Sequence, residues 1–115
     1  MEAASAPLAT RHTHEELADT PILDKGVFIT MGNNHFIMEC ISDGEFEKAR
    51  DYVAWLLAAT KGFAIKIVNP GGVENWKWGR NVSELDDDVI GFGITPRKIV
   101  TALARINKAL KLPHV

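Results

Sequence analysis

The sequence predicts an α/β fold in which short parallel strands alternate with amphipathic helices. Two apolar runs rich in β-branched residues, Val27–Met31 and Phe63–Val68, are each followed by glycine-containing turns, as is typical of buried strands. Segments with helical periodicity lie between and after these runs. A strand-helix-strand order requires crossover connections, and these produce a parallel sheet. At 115 residues with 46% hydrophobic and 24% charged residues, the chain has the composition of a globular domain.

Seven elements are expected, together with one long loop between the last strand and the last helix. In chain order they are a strand near residues 1–5, a helix over Arg11–Asp19, a strand over Val27–Met31, a helix over His35–Ile41, a helix from Phe46 that Gly62 stops, a strand over Phe63–Val68, a loop over Asn69–Gly93 and a helix that begins at Thr95-Pro96 and ends at Pro113.

The helix starts are predicted from capping patterns. Residues 13–16 and 42–45 both match the capping box, in which a hydroxyl and a carboxylate each bond the other's backbone amide. Asn33-Asn34 precedes another helix start as an amide cap, and Thr95-Pro96 combines a capping hydroxyl with proline at the first helical position.

Two helices carry apolar residues at helical spacing, which predicts the face that each one buries. The inward positions are Phe46, Ala49, Val53 and Leu57 in one helix and Ile99, Leu103, Ile106 and Leu110 in the other.

Charge and cysteine content exclude several classes of protein. A net charge of -2 and an isoelectric point near 6.1 do not suit a nucleic-acid binder, which needs an excess of lysine and arginine. The single cysteine, Cys40, excludes an internal disulfide and is expected to be an inert apolar side chain. Residues 1–7 lack the features of a signal peptide, and no apolar segment is long enough for a membrane span. A cytoplasmic protein is therefore expected.

Lys66 interrupts the most strand-like run of the chain, Phe63–Val68, which we expect to be buried on both faces. A buried ammonium is costly unless it is paired or chemically changed. Three functions fit: a Schiff-base lysine, a phosphate-binding cation, or a lysine that has reacted with carbon dioxide to form a metal-binding carbamate. The structural alternative is an edge lysine whose ammonium reaches water.

Polar residues follow the two predicted strands where a parallel sheet places its chemistry. His35 and Asn34 come directly after the strand over Val27–Met31, and Asn69 follows the strand that carries Lys66. We expect these three side chains to contact substrate, although His35 also fits a helix start. A tight turn accounts equally well for Asn69-Pro70-Gly71-Gly72.

Two other groups of residues have simpler explanations than chemistry. His12 and His14 have the H-x-H spacing of metal-binding strands, but they lie at a predicted helix start and are interpreted as a false signal. Trp76 and Trp78 either form the wall of a substrate pocket or, as we slightly favour, hold the loop in place by burying their rings.

Four longer segments closely resemble the amidohydrolase-type subunit of formylmethanofuran dehydrogenase and the matching subunit of the bacterial formyltransferase/hydrolase complex. They are ATRHTHEE at 9–16, GNNH at 32–35, VAWLLAATKG at 53–62 and AIKIVNPGGVENWKWG at 64–79. The resemblance covers essentially the whole chain, and the last segment is far more specific than any short motif.

The resemblance implies an amidohydrolase-type (β/α)8 (TIM) barrel with a binuclear zinc site. Residues 1–115 would be a fragment of that barrel, roughly its second to fourth strand-helix units. Lys66 matches the family's carboxylated lysine, whose carbamate, derived from carbon dioxide, bridges the two metals. The implied reaction is the hydrolysis or formation of formylmethanofuran or a related formamide carrier, which yields formate and the free amine in one-carbon metabolism.

The resemblance also implies that the other metal ligands and the catalytic residue lie outside residues 1–115, so the isolated fragment is expected to be inactive. Its implied partners are the other subunits of a formylmethanofuran dehydrogenase or formyltransferase/hydrolase complex. The alternative, from a different class, is a small self-contained α/β domain that binds a ligand without catalysis.

Overall fold

A computed structural model describes residues 2–4, 7–19 and 26–113. Three strands and five helices lie in these ranges, and they confirm the α/β class. The elements are β1 (Glu2–Ala4), α1 (Pro7–Leu17), β2 (Val27–Thr30), α2 (His35–Ser42), α3 (Phe46–Thr60), β3 (Ala64–Lys66), α4 (Gly72–Lys77) and α5 (Pro96–Ala109).

The three strands form one parallel sheet in the order β1-β2-β3, as the sequence predicted. In the register of β2 and β3, Phe28 is opposite Ala64 and Thr30 is opposite Lys66. Within the described ranges, β1 and β3 each pair with β2 alone. The carboxyl ends of β2 and β3 therefore lie side by side at one edge of the sheet.

One face of this sheet forms the core. Val27 and Ile29 of β2 are fully buried, and they belong to the same apolar cluster as Ile65 of β3 and residues of α2, α3 and α5. Burying one such side chain contributes about 1.5–3 kcal/mol relative to exposure. Because side chains alternate along a strand, Phe28, Thr30 and Lys66 point to the opposite face.

The longer helices of the described chain form one layer. Helix α1 contacts α3, and α2, α3 and α5 contact one another in turn. Since α1 and α3 belong to successive strand-helix-strand units and touch each other, both units place their helices on the same side of the sheet. None of the described helices is both long and apolar enough to cross a membrane.

Two of the four predicted helix starts are confirmed by their capping bonds. The Asn34 side chain accepts a hydrogen bond from the Ile37 amide at 3.1 Å, and the Thr95 hydroxyl accepts one from the Lys98 amide at 3.3 Å. Both capping residues have extended backbone conformations, which is how the chain enters a helix.

The two predicted capping boxes are wrong. Helix α1 begins at Pro7 rather than Arg11, so Thr13 lies inside the helix and its hydroxyl donates to the Ala9 carbonyl at 3.0 Å. Ser42 is the last residue of α2, and α3 begins after Glu45 without a side-chain cap. Each pattern had a competing bond available, and local sequence does not reveal which bond forms.

The predicted loop over residues 69–93 is more ordered than its composition indicated. It contains α4, and its later part folds around Asn75, whose side chain donates to the Asp88 carbonyl and accepts from the Ile90 amide, both at 2.8 Å. Asn75 is 3% exposed. A buried amide side chain thus replaces the apolar periodicity that the loop lacks.

We expect Asn75→Ala to destabilise the protein by about 2 kcal/mol, because a buried donor and acceptor would lose their partner. The exposed Asn81 offers a matched control, and Asn81→Ala should change stability by less than about 0.5 kcal/mol. Thermal unfolding of both variants measures the difference. Equal unfolding midpoints for the two would contradict the structural role of Asn75.

Candidate active site

A cavity of about 620 Å³ opens where the carboxyl ends of β2 and β3 meet. It is lined by residues of both strand ends and their following loops: Thr30, Gly32, Asn33, Asn34, His35, Val68, Asn69 and Val73. The structure thus brings Asn34, His35 and Asn69 together, as the sequence predicted. Polar groups from two loops converge on a space large enough for a small organic ligand.

Lys66 occupies the last position of β3, beside this cavity rather than in its lining. The expectation that its strand is buried on both faces is wrong for this chain, because Lys66 is exposed and β3 extends only over Ala64–Lys66. Lys66 lies on the face that points away from the helix layer. Among the described residues, no hydrogen bond or ion pair of its ammonium is found.

The backbone of Lys66 is fixed by the neighbouring strand. The Met31 amide donates to the Lys66 carbonyl at 2.9 Å, which extends the ladder to the end of both strands. Beyond the strands, the Gly71 amide donates to the Gly32 carbonyl at 2.9 Å. Two backbone bonds therefore hold the β2 end against the β3 end on either side of the cavity.

Asn34 and His35 have structural contacts in addition to their place at the cavity. Asn34 caps α2 through its side-chain oxygen, and its nitrogen donates to the Tyr52 hydroxyl at 3.2 Å. His35 is exposed; its Nε2 lies 3.0 Å from a Glu39 carboxylate oxygen, and its ring meets Phe92 edge-on at 5.1 Å. Of the two, His35 is therefore the one that presents an exposed polar side chain to a ligand.

Asn69 begins the turn after β3 in a left-handed backbone conformation, with φ of 43°. Asparagine tolerates this conformation better than most residues. Its carbonyl accepts from the Gly72 amide at 2.9 Å, which closes the tight turn that the sequence allowed. The same residue thus shapes the loop and lines the cavity.

Asn33 is the site residue that the sequence patterns did not single out. Its side-chain nitrogen donates to the Val68 and Asn69 carbonyls at 3.2 and 2.9 Å, and its oxygen accepts from the Val73 amide at 3.0 Å. These bonds join the loop after β2 to the loop after β3. The available signal was an amide directly after a strand end, but its partners lie 35 to 40 residues away in the sequence.

The two histidines of the H-x-H pair lie away from the cavity, in agreement with their interpretation as a false signal. Both are on α1, where His12 Nδ1 is 3.6 Å from a Glu15 carboxylate oxygen and His14 Nε2 is 2.9 Å from the Thr60 carbonyl oxygen. Residues two apart on a helix do not share a face. Within the described ranges, no cluster of three or more His, Cys, Asp or Glu side chains could hold a metal ion.

Cys40 and the tryptophans complete the comparison with expectation. Cys40 is buried, and burial raises the pKa of its thiol, so the prediction of an inert side chain is supported. Trp76 and Trp78 are 73% and 68% exposed, so the favoured prediction that their rings are buried is wrong. Trp78 instead lines a neighbouring cavity of about 520 Å³ together with His35.

Sequence comparison shows that the chain belongs to the amidohydrolase family, whose pattern matches residues 1–114. The chain is similar to protein FwdA of Methanocaldococcus jannaschii, with 54% identity over 114 residues, which cover 99% of this chain and 20% of that protein. It is also similar to the FhcA component of the formyltransferase/hydrolase complex of Methylorubrum extorquens, with 36% identity over 115 residues, or 99% of this chain and 21% of that one. These matches confirm the resemblance found in the sequence.

A solved structure shares the fold. The X-ray crystal structure of the formyltransferase/hydrolase complex FhcABCD from Methylorubrum extorquens, in complex with methylofuran, matches with a TM-score of 0.90 and 35% identity, over 97% of this chain and 21% of that chain. The chain thus spans about a fifth of the length of the curated relatives it matches.

Gly71 and Gly79 allow a test of how tightly the loop after β3 is packed. Both have positive φ, 76° and 70°, but a Cβ at Gly71 would overlap the Val89 side chain, whereas one at Gly79 would meet nothing within 4 Å. Both alanine variants carry a similar backbone cost, so Gly71→Ala should be more destabilising by about 1–3 kcal/mol. Unfolding midpoints measure this; equal shifts would contradict close packing at Gly71.

Proposed function

We propose that the protein carrying this chain is an amidohydrolase that hydrolyses or forms the formamide bond of formylmethanofuran or a related furan-based carrier. Formate and the free amine are the products of hydrolysis. Similarity to FwdA and to FhcA supports this substrate class. The observation that carries the proposal is the position of Lys66 at the carboxyl end of a parallel strand, on the face without the helix layer.

We further propose that residues 1–115 form part of a (β/α)8 barrel, roughly its second to fourth strand-helix units. Sequentially adjacent parallel strands with their helices on one side are the arrangement of such barrels, in which the opposite face of the sheet is the interior. A doubly wound sheet instead reverses its strand order and has helices on both faces. The arrangement therefore favours a barrel over a self-contained binding domain.

Lys66 is proposed to act as a carbamate rather than as an amine. Its ammonium loses a proton, the lone pair of the neutral amine forms a bond to the carbon of carbon dioxide, and a second proton passes to solvent. The product is an anionic carbamate with two oxygens, which suits a position between two metal ions. Exposure of Lys66 and the absence of a partner among the described residues leave its amine accessible to carbon dioxide.

The described residues fit one metal ligand, Lys66, and not a complete site. When bound, two zinc ions would supply Lewis acidity toward the formyl oxygen and activate water for attack on the formyl carbon. The remaining ligands and the group that transfers the proton are proposed to come from other parts of the protein. Lys66 would then position the two metals without itself moving a proton.

The loops around the cavity are proposed to bind the carrier. His35 and Asn69 line the cavity beside Lys66 with exposed side chains, so they are suited to contact the formamide or the adjoining furan. The Asn34 side chain is engaged at both of its polar atoms, so its contribution would be to fix the start of α2 beneath the substrate. The structural relative is a complex, FhcABCD, and we propose that other subunits of such a complex are partners here.

Lys66→Ala in the complete protein tests the carbamate directly. We expect the zinc content to fall and hydrolysis of the formamide substrate to drop by about 100-fold or more, since loss of a ligand should exceed the cost of losing its supporting residues. Propionate should restore part of both, because its carboxylate can replace the carbamate oxygens. Metal analysis and formate release are the measurements.

Lys98→Ala is the matched control, since Lys98 is an exposed lysine of α5. It should leave zinc content and activity unchanged. Full zinc content and full activity in Lys66→Ala would show that Lys66 is not a metal ligand.

The isolated 115-residue chain is expected to have no hydrolytic activity, because one ligand cannot hold a binuclear site. The measurement is release of formate from the formamide carrier in the presence of zinc, with the complete protein as a positive reference. Zinc-dependent release by the isolated chain would contradict the proposal that the other ligands lie elsewhere.

A further inference from the structure

Asn33 connects the two strand ends through all the hydrogen-bonding atoms of its side chain. Its two N–H groups point to successive carbonyls, Val68 and Asn69, and its oxygen accepts the Val73 amide. Asparagine is the residue of this length that combines two donors with an acceptor. A serine or aspartate at this position could not make the same three bonds.

The chain segment that Asn33 holds is the one that leaves Lys66. Val68 lies two residues beyond Lys66, after the backbone ladder between β2 and β3 has ended at the bond from Met31 to Lys66. From this point the path of the chain depends on the Asn33 side chain and on the bond from Gly71 to Gly32. Lys66 is exposed, and no described side chain fixes its position.

We propose that Asn33 is a positioning residue for Lys66: by fixing the chain just beyond β3, it holds the lysine where its carbamate forms and persists. This inference rests on the proposed function, since it assumes that Lys66 is carboxylated. Asn33 itself does not touch the lysine; it acts by restricting the backbone from which the lysine extends. Restriction lowers the entropy that the flexible lysine loses when it becomes a fixed ligand.

Two variants separate positioning from folding. Asn33→Ala removes all three hydrogen bonds. Asn33→Asp keeps the shape and the acceptor for the Val73 amide, but it places a carboxylate oxygen against two carbonyl oxygens. Asn81→Ala is the control for loss of an exposed asparagine side chain, and Lys66→Ala identifies the signal that belongs to Lys66.

The experiment uses the complete, zinc-loaded protein equilibrated with increasing amounts of ¹³C-bicarbonate. The carbamate carbon is observed by ¹³C NMR, and the signal that is missing in Lys66→Ala is followed. We expect Asn33→Ala and Asn33→Asp to need about 10-fold more bicarbonate for half of the full signal, in line with the effect of removing residues that support a ligand. Asn81→Ala should match the unmodified protein, and amide exchange in α5 should remain slow in every variant.

Each other outcome overturns the proposal in a distinguishable way. A Lys66 signal with the same half-point in both Asn33 variants would refute the role of Asn33 alone. Loss of amide protection in α5 in both variants would assign Asn33 to folding rather than positioning. A missing Lys66 signal in the unmodified protein would refute the carbamate itself, and the role of Asn33 would fall with it.

Discussion

Parallel pairing of β2 with β3 is the constraint on which the rest of the structure depends. It aligns Thr30 with Lys66 and places the loops that follow both strands at one edge of the sheet. Parallel strands also need crossovers, and here the crossover helices lie on one side, so one sheet face is buried and the other is not. The alternation of side chains then decides that Ile29 is in the core while Lys66 is outside it.

The cavity at this edge is built from polar bonds between distant segments. Backbone bonds join Met31 to Lys66 and Gly32 to Gly71, and the Asn33 side chain joins the loops beyond them. Because neither loop has apolar periodicity, these bonds take the place of a local core in fixing the shape of the site. Such an arrangement is rigid in its backbone and leaves His35 exposed to a ligand.

Local rules predicted the elements well where side-chain pattern and burial agree. Strands β1, β2 and β3, the apolar face of α5 and the caps at Asn34 and Thr95 all follow from neighbouring residues. The same rules failed at Thr13 and Ser42, where each hydroxyl bonds a different group, the Phe92 carbonyl in the case of Ser42. A short polar side chain has several possible partners, and only the folded chain selects one.

The sequence by itself determined the α/β class, the family and the unusual lysine in a strand, because periodicity and the string around Lys66 are local properties of the chain. Tertiary structure alone decided that Lys66 is exposed, that Asn75 organises the loop after α4, and that Asn33 bonds the far side of the cavity. These facts depend on contacts between residues far apart in sequence or on which sheet face is covered. Neither is written in the neighbouring residues, since both arise only when the strands pair.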